Sequence, residues 1–151
     1  ARRERGVLPG VDGGLIVPAG YSETPLAKKL NLRDDQRVWF HAMPESVQDE
    51  IGEYALDLIF VADPAEGIDA AHIFVTTREE LSSLLATLRK QIAADGHIWV
   101  SWPKQASKVP TDVSEDTIRE VALPTGLVDT KMCAVDETWS GLKLVIRKDL
   151  R

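Results

Sequence analysis

Apolar residues along this chain fall into two alternating rhythms. RVWFHA at 37–42, DLIFVA at 57–62, HIFVT at 72–76 and HIWVSW at 97–102 are short, nearly continuous apolar runs. Each predicts a strand, and DLIFVA and HIFVT predict strands buried on both faces. Leu81, Leu84, Leu85, Leu88 and Ile92 instead recur at helical spacing and predict one core-facing stripe. Thr77 and Glu80 are placed to open that helix as a capping box, each side chain bonding a free backbone N–H, and Gly96 to close it. A short helix is predicted after Thr24, with Pro25 at its first position and Leu26, Ala27 and Leu30 on its apolar side. Another runs from Pro44 to Gly52. A third follows Asp112 and Glu115, which suggest a second capping box; Ile118, Val121 and Ala122 form its face, and Pro124 and Gly126 stop it. LVDTKMCAV at 127–135 and LKLVIRK at 142–148, with Leu142, Leu144 and Ile146 inward, read as two strands around a turn at Ser140–Gly141.

Strands that alternate with helices imply right-handed crossovers and a mainly parallel sheet. The last two strands lack an intervening helix and must be antiparallel. The predicted fold is α/β: a three-layer, Rossmann-like, mostly parallel sheet ending in an antiparallel hairpin, with a strand order near 2-1-3-4-6-5. That ending is the one found in methyltransferase-type Rossmann folds. One domain is expected over 21–151, after an irregular arm over 1–20 that holds five of the ten glycines. Leu15–Ile16–Val17 is the piece of the arm suited to docking on a surface or partner.

Charge and composition narrow the function. The net charge is −6 and the pI about 5.1, which gives no electrostatic reason to seek nucleic acid or acidic lipid. Cys133 is the only cysteine, so an internal disulfide and a cysteine-pair zinc site are both excluded. A reducing cytoplasm fits this usage. The apolar runs are too short to span a membrane or to form a signal-peptide core.

In open α/β sheets, ligands bind beyond the carboxyl ends of the parallel strands. His41 and Met43 should lie past the first strand, Asp63 past the second, Thr76 and Thr77 past the third, and Trp102, Pro103 and Lys104 past the fourth. Asp136, Glu137 and Trp139 should leave the fifth. His72 and His97 start their strands and should sit on the opposite edge, so a three-histidine metal site is not expected. The first strand–helix turn is HAMPES, which has no glycine and loses one N–H donor at Pro44. Met43 and Glu45 there should fill the space a cofactor needs, which disfavours a dinucleotide and, on steric grounds, S-adenosylmethionine. Asp63 is placed to hold a ribose, or simply to make a turn before Pro64. Ser107 and Lys108 are adjacent in a polar loop, and no nucleophile elbow is present. Cys133 reads as a packed strand residue, and Asp129 with Lys131 as a surface pair on one strand face. The remaining candidate is a corner where Lys104 pairs with Asp136 or Glu137 under Trp102 and Trp139, with Ser107 nearby. It is either a ligand crevice or a tryptophan-packed lid.

YSETPLAKKL at 21–30, WPKQAS at 102–107, TDVSED at 111–116 and GLVDTKMCAVDETWSGLKLVIR at 126–147 carry a family likeness. From about Tyr21 to Lys148 the chain resembles a family of small bacterial proteins known as a domain of unknown function. The resemblance implies a shortened methyltransferase-type Rossmann domain. It also marks Trp102, Pro103, Lys104, Ser107, Asp112, Asp129, Lys131, Asp136, Trp139, Ser140 and Gly141 as characteristic positions, without assigning them roles. The leading expectation is a non-catalytic methyltransferase-like domain that binds a small ligand or a protein partner, with no cofactor. The alternatives are a methyltransferase with an atypical cofactor site, in which Lys104, Asp112 and Asp136 orient substrate or move protons, and a homo-oligomeric interaction protein.

Overall fold

A computed structural model describes residues 24–151; the arm at 1–20 and its Leu15–Ile16–Val17 run lie outside the described residues. The strands are β1 (Arg37–His41), β2 (Ile59–Phe60), β3 (Ile68–Phe74), β4 (Ile92–Pro103), β5 (Leu127–Ala134) and β6 (Trp139–Ile146). They form one sheet in the order β2-β1-β3-β4-β6-β5, the order expected from the sequence. β1 lies parallel to β2 and β3, and β3 parallel to β4. β6 runs antiparallel to both β4 and β5. Helices α1 (Leu26–Lys29) and α2 (Glu45–Gly52) cover one face, and α3 (Arg78–Gln91) and α4 (Glu115–Ala122) the other.

Two cores follow from the period-2 alternation of the strands. Ile73, Val75, Ile98, Val100, Leu142 and Leu144 point toward α3 and α4, where Leu81, Leu85, Leu88 and Ile118 meet them. Leu81, Leu85 and Leu88 are fully buried, worth about 1.5–3 kcal/mol apiece against an exposed side chain, and Leu84 of the stripe is half-buried. Val38, Ala70, Phe74 and Trp99 point the other way, against Leu26, Leu30, Val47 and Ile51. The Trp99 indole N–H donates to the Leu30 carbonyl at 2.9 Å and ties α1 to the sheet.

Several expectations change. β2 is only two residues long and is an edge strand, with Ile59 and Phe60 exposed rather than buried on both faces. An edge strand has one neighbour and no second sheet contact to shield it. Gly96 does not end α3. The chain passes from Gln91 directly into β4, and Gly96 lies inside that strand. Thr77 Oγ1 accepts from Glu80 N–H as predicted, but the Glu80 carboxylate turns to Thr76 N–H at 3.4 Å instead of completing the box. The box that opens α4 is built by Ser114 and Thr117, not by Asp112 and Glu115. Asp112 Oδ1 accepts from Arg78 N–H at 2.7 Å and caps α3 from another part of the chain. Pro25 is the N-cap of α1 rather than its first helical residue. The hairpin turn falls between Ala134 and Trp139, and Ser140 and Gly141 lie within β6. Gly141 is needed there because a Cβ would meet the Trp99 ring at 3.1 Å and Val135 at 3.2 Å.

His72 and His97 do not start their strands either. Both lie inside them on the α1 side of the sheet, and both are buried. His72 Nε2 and Ser101 Oγ are 2.6 Å apart, and the His72 ring stacks on Phe74 at 4.5 Å. Burial holds the His72 imidazole down at about 3, reinforced by His97. Burial, then Lys143, holds His97 at about 4.

Candidate functional site

The chain reverses its winding direction at β1. From β1 it moves outward to β2, then returns to place β3 on the other side of β1. The carboxyl ends of β1 and β3 therefore flank the topological switch point, where ligand crevices form in such sheets. His41 ends β1 there, half-buried and stacked on Trp39 at 5.7 Å. Its Nε2 lies 3.2 Å from Glu80 Oε2. Glu80 stands on the first turn of α3, and its other oxygen receives the Thr76 N–H. The arrangement is a part-exposed imidazole–carboxylate pair, able to accept or relay a proton or to bind a polar group. Glu80 was legible in the sequence only as a capping residue. The signal for more was its register beside a histidine that ends the neighbouring strand.

The turn after β1 departs from expectation in one respect. Met43 does not fill the crevice, because its side chain packs into the α1–α2 core. Ala42 occupies the left-handed region at φ 54, where a Cβ is unfavourable and glycine is the ordinary choice. Pro44 caps α2 without an N–H, and Glu45 places its carboxylate on the first helical turn.

Thr76 is overlaid by the segment that follows β4. Thr111 Oγ1 donates to the Thr76 carbonyl at 2.7 Å, and Asp112 N–H donates to the same oxygen at 3.2 Å. Val113 beside them is buried in the α3–α4 core. Asp63 stands apart from His41 and Thr76 in function: its Oδ1 receives Ala65 N–H at 2.9 Å and opens the Pro64–Glu66 turn, the simpler of its two sequence readings.

The second corner is not one crevice. Trp102 and Trp139 sit on opposite faces of the sheet. Trp102 is 8% exposed in the α3–α4 core, whereas Trp139 packs edge-on against Phe74 at 5.0 Å on the other side. Among the described residues, Lys104 makes no ion pair with Asp136 or Glu137. Its backbone N–H donates to the Thr138 carbonyl at 2.8 Å. Ser107 Oγ donates to the Lys104 carbonyl at 2.6 Å and receives Val109 N–H, so its hydroxyl serves the local turn. Asp136 Oδ1 receives both Thr138 and Trp139 N–H at 2.8 Å. Glu137 is exposed at the tip. The hairpin is thus organised by Asp136. Asp136→Ala is expected to lower the unfolding free energy by about 2 kcal/mol, since two amides lose a charged acceptor. Urea unfolding checks this, and an unchanged midpoint would mean that the strands alone fix the turn.

Asp129 and Lys131 are not a pair. A bulge separates them, and Asp129 receives Arg119 Nε at 3.1 Å while Lys131 Nζ donates to the Lys29 carbonyl at 3.3 Å. Cys133 is half-buried, and burial raises its thiol. Among the described residues no cluster of three or more His, Cys, Asp or Glu side chains is placed to hold a metal. No helix among them is long and apolar enough to cross a membrane.

Known structures share this sheet. Ribosomal protein L11 methylase from Lactobacillus delbrueckii subsp. bulgaricus superposes with a TM-score of 0.51 at 13% identity, over 81% of this chain and 77% of that one. The PH0226 protein from Pyrococcus horikoshii gives 0.52 at 10% identity, over 81% and 86%. Precorrin-6y C5,15-methyltransferase from Geobacter metallireducens gives 0.51 at 13% identity, over 80% and 85%. At these identities the likeness establishes a methyltransferase-like Rossmann fold and nothing about chemistry. No curated protein matches the sequence. The chain belongs to the family described as protein of unknown function DUF3052, whose profile matches residues 27–148.

Proposed function

We propose that this protein is a binding domain on a methyltransferase-type scaffold, without methyl-transfer activity, that takes a small polar ligand or a protein partner at the crevice beside His41 and Glu80. The observation that carries this reading is the turn after β1. Ala42 keeps a Cβ at φ 54, where glycine would let the backbone approach a ligand. Pro44 lacks an N–H, and Glu45 already places a carboxylate on the first turn of α2. S-adenosylmethionine, the cofactor the fold suggests, is a net cation at neutral pH, so the obstacle is steric: the Ala42 Cβ stands where the backbone would approach it, and Pro44 offers no N–H. These residues do not fit it.

Titration of the purified chain with S-adenosylmethionine by calorimetry is expected to give no saturable heat. Binding in the micromolar range would sink the proposal. One observation favours the alternative of a methyltransferase with an atypical cofactor site: Met43 is folded into the core and does not itself obstruct the crevice. The same titration separates the two.

A further inference from the structure

The opposite edge of the sheet holds a second cleft, of about 370 Å³, that no part of the carboxyl edge shares. It opens under the end of α1, where the chain turns through Asn31 at φ 62 toward β1. Lys28, Arg33 and Lys143 line it from three different segments. Among the described residues none of the three head groups is ion-paired to a carboxylate. This concentration of positive charge stands out on a chain of net charge −6. His97 also lines the cleft; it is 6% exposed, and among the described residues its Nε2 has no hydrogen-bond partner. Asn31 Oδ1, buried as well, is an acceptor without a donor among the described residues. Among the described residues Asp95 is the one carboxylate in the lining.

Buried polar atoms without partners are uncommon, and here two of them meet three unpaired cations. Asp34 and Asp69, in the adjoining acidic part of the edge, are already engaged with the Asp57 and Arg37 amides. Asp95 is then the carboxylate left to face the cationic end, and it pairs with none of the three head groups among the described residues. We propose that this cleft binds a small hydroxylated phosphate ester, of the polyol- or sugar-phosphate class. Lys28, Arg33 and Lys143 meet the phosphate, and Asn31 Oδ1 and Asp95 accept hydroxyl hydrogens. The site is independent of the crevice beside His41, so either can fail without the other.

His97 gives the site a proton linkage. Its surroundings are Lys28 from α1, Arg33 from the following turn, His72 from β3, Asp95 from its own strand and Lys143 from β6. Burial and the neighbouring Lys143 and Arg33 keep the free imidazole neutral near pH 7. Desolvation, with Lys131 and Arg33 adding repulsion, likewise lowers the Lys143 ammonium. A bound dianion reverses the repulsion, and Nε2 gains a proton and a partner together.

Calorimetric titration of the full chain at pH 7 and low ionic strength, with glycerol 3-phosphate, sulfate and glycerol as separate probes, tests this. Glycerol 3-phosphate is expected to saturate the protein and to bind more tightly than sulfate, with glycerol giving no heat. Lys143→Met and Arg33→Gln should each weaken glycerol 3-phosphate about tenfold or more, as loss of one nearby unit charge implies. Arg33 is exposed, so its variant remains informative if the Lys143 variant folds poorly. Ring resonances of His97 at saturating sulfate and pH 6 should report imidazolium while His72 stays neutral. The proposal is overturned by no saturable binding of glycerol 3-phosphate, by sulfate binding equally well, or by parental affinity in both variants. A His97 ring that stays neutral at saturation removes that residue from the site.

Discussion

Lowering the pH from 7.5 to 5 is expected to reduce the unfolding free energy by about 4 kcal/mol through two buried histidines. His72 and His97 are held neutral in the folded protein, at about 3 and about 4, chiefly by burial. In the unfolded chain both titrate near 6.5. Above pH 6.5 neither state gains a proton at these sites, and their contribution to stability is fully present. Between 6.5 and about 4 only the unfolded chain takes protons up, so stability falls with pH. Each histidine then costs about 1.4 kcal/mol per pH unit, or about 2 kcal/mol at pH 5. Urea denaturation at each pH measures the loss. His97→Gln should halve it, since His72 still contributes. A parent protein whose stability at pH 5 lies within about 1 kcal/mol of its value at pH 7.5 would contradict the buried, neutral assignment.

Gly96→Ala should destabilise the protein by about 3 kcal/mol, at the upper end of the usual overpacking range. A Cβ at Gly96 would lie 2.4 Å from the Asp69 carbonyl oxygen, 2.9 Å from Ile92 Cγ1 and 3.1 Å from the Ala93 carbonyl oxygen. Two of these three neighbours are backbone, which cannot rotate away. Asp69 lies where the β3–β4 register shifts, between Ile68 and Ala70, so the two strands approach closely at an irregularity. The side chain of Asp69 also receives Arg37 N–H, which fixes it to β1. Relief by moving β3 would therefore disturb two strand pairs. The unfolding midpoint of the variant reads this out, and a shift below 1 kcal/mol would show that the strands separate freely at that point.

The hydrophobic pattern by itself determined the order of elements, the α3 stripe and the antiparallel ending. These are local or nearly local consequences of period and loop length. Leu81, Leu85 and Leu88 must share a helix face whatever surrounds them. Two strands without a crossover helix must run antiparallel. The sequence also carried the asymmetry of the turn after β1, since the absence of glycine is a composition fact.

Tertiary structure decided what each polar residue does. Asp112 looks like a local cap but caps α3 from across the fold, because β3 and the segment after β4 end at the same sheet edge. Lys104 and Asp136 come from neighbouring strands, yet backbone amides claim the Asp136 oxygen first. Trp102 and Trp139 face opposite layers because alternation along paired strands, not proximity in space, sets the direction of a side chain. Glu80 meets His41 only through the β1–β3 pairing. The cleft of Lys28, Arg33, His97 and Lys143 joins segments up to 115 residues apart in the chain, and no spacing rule links them. Sequence period fixes which way a residue points along its own element; which other residues it meets there is set by how the elements pair and pack.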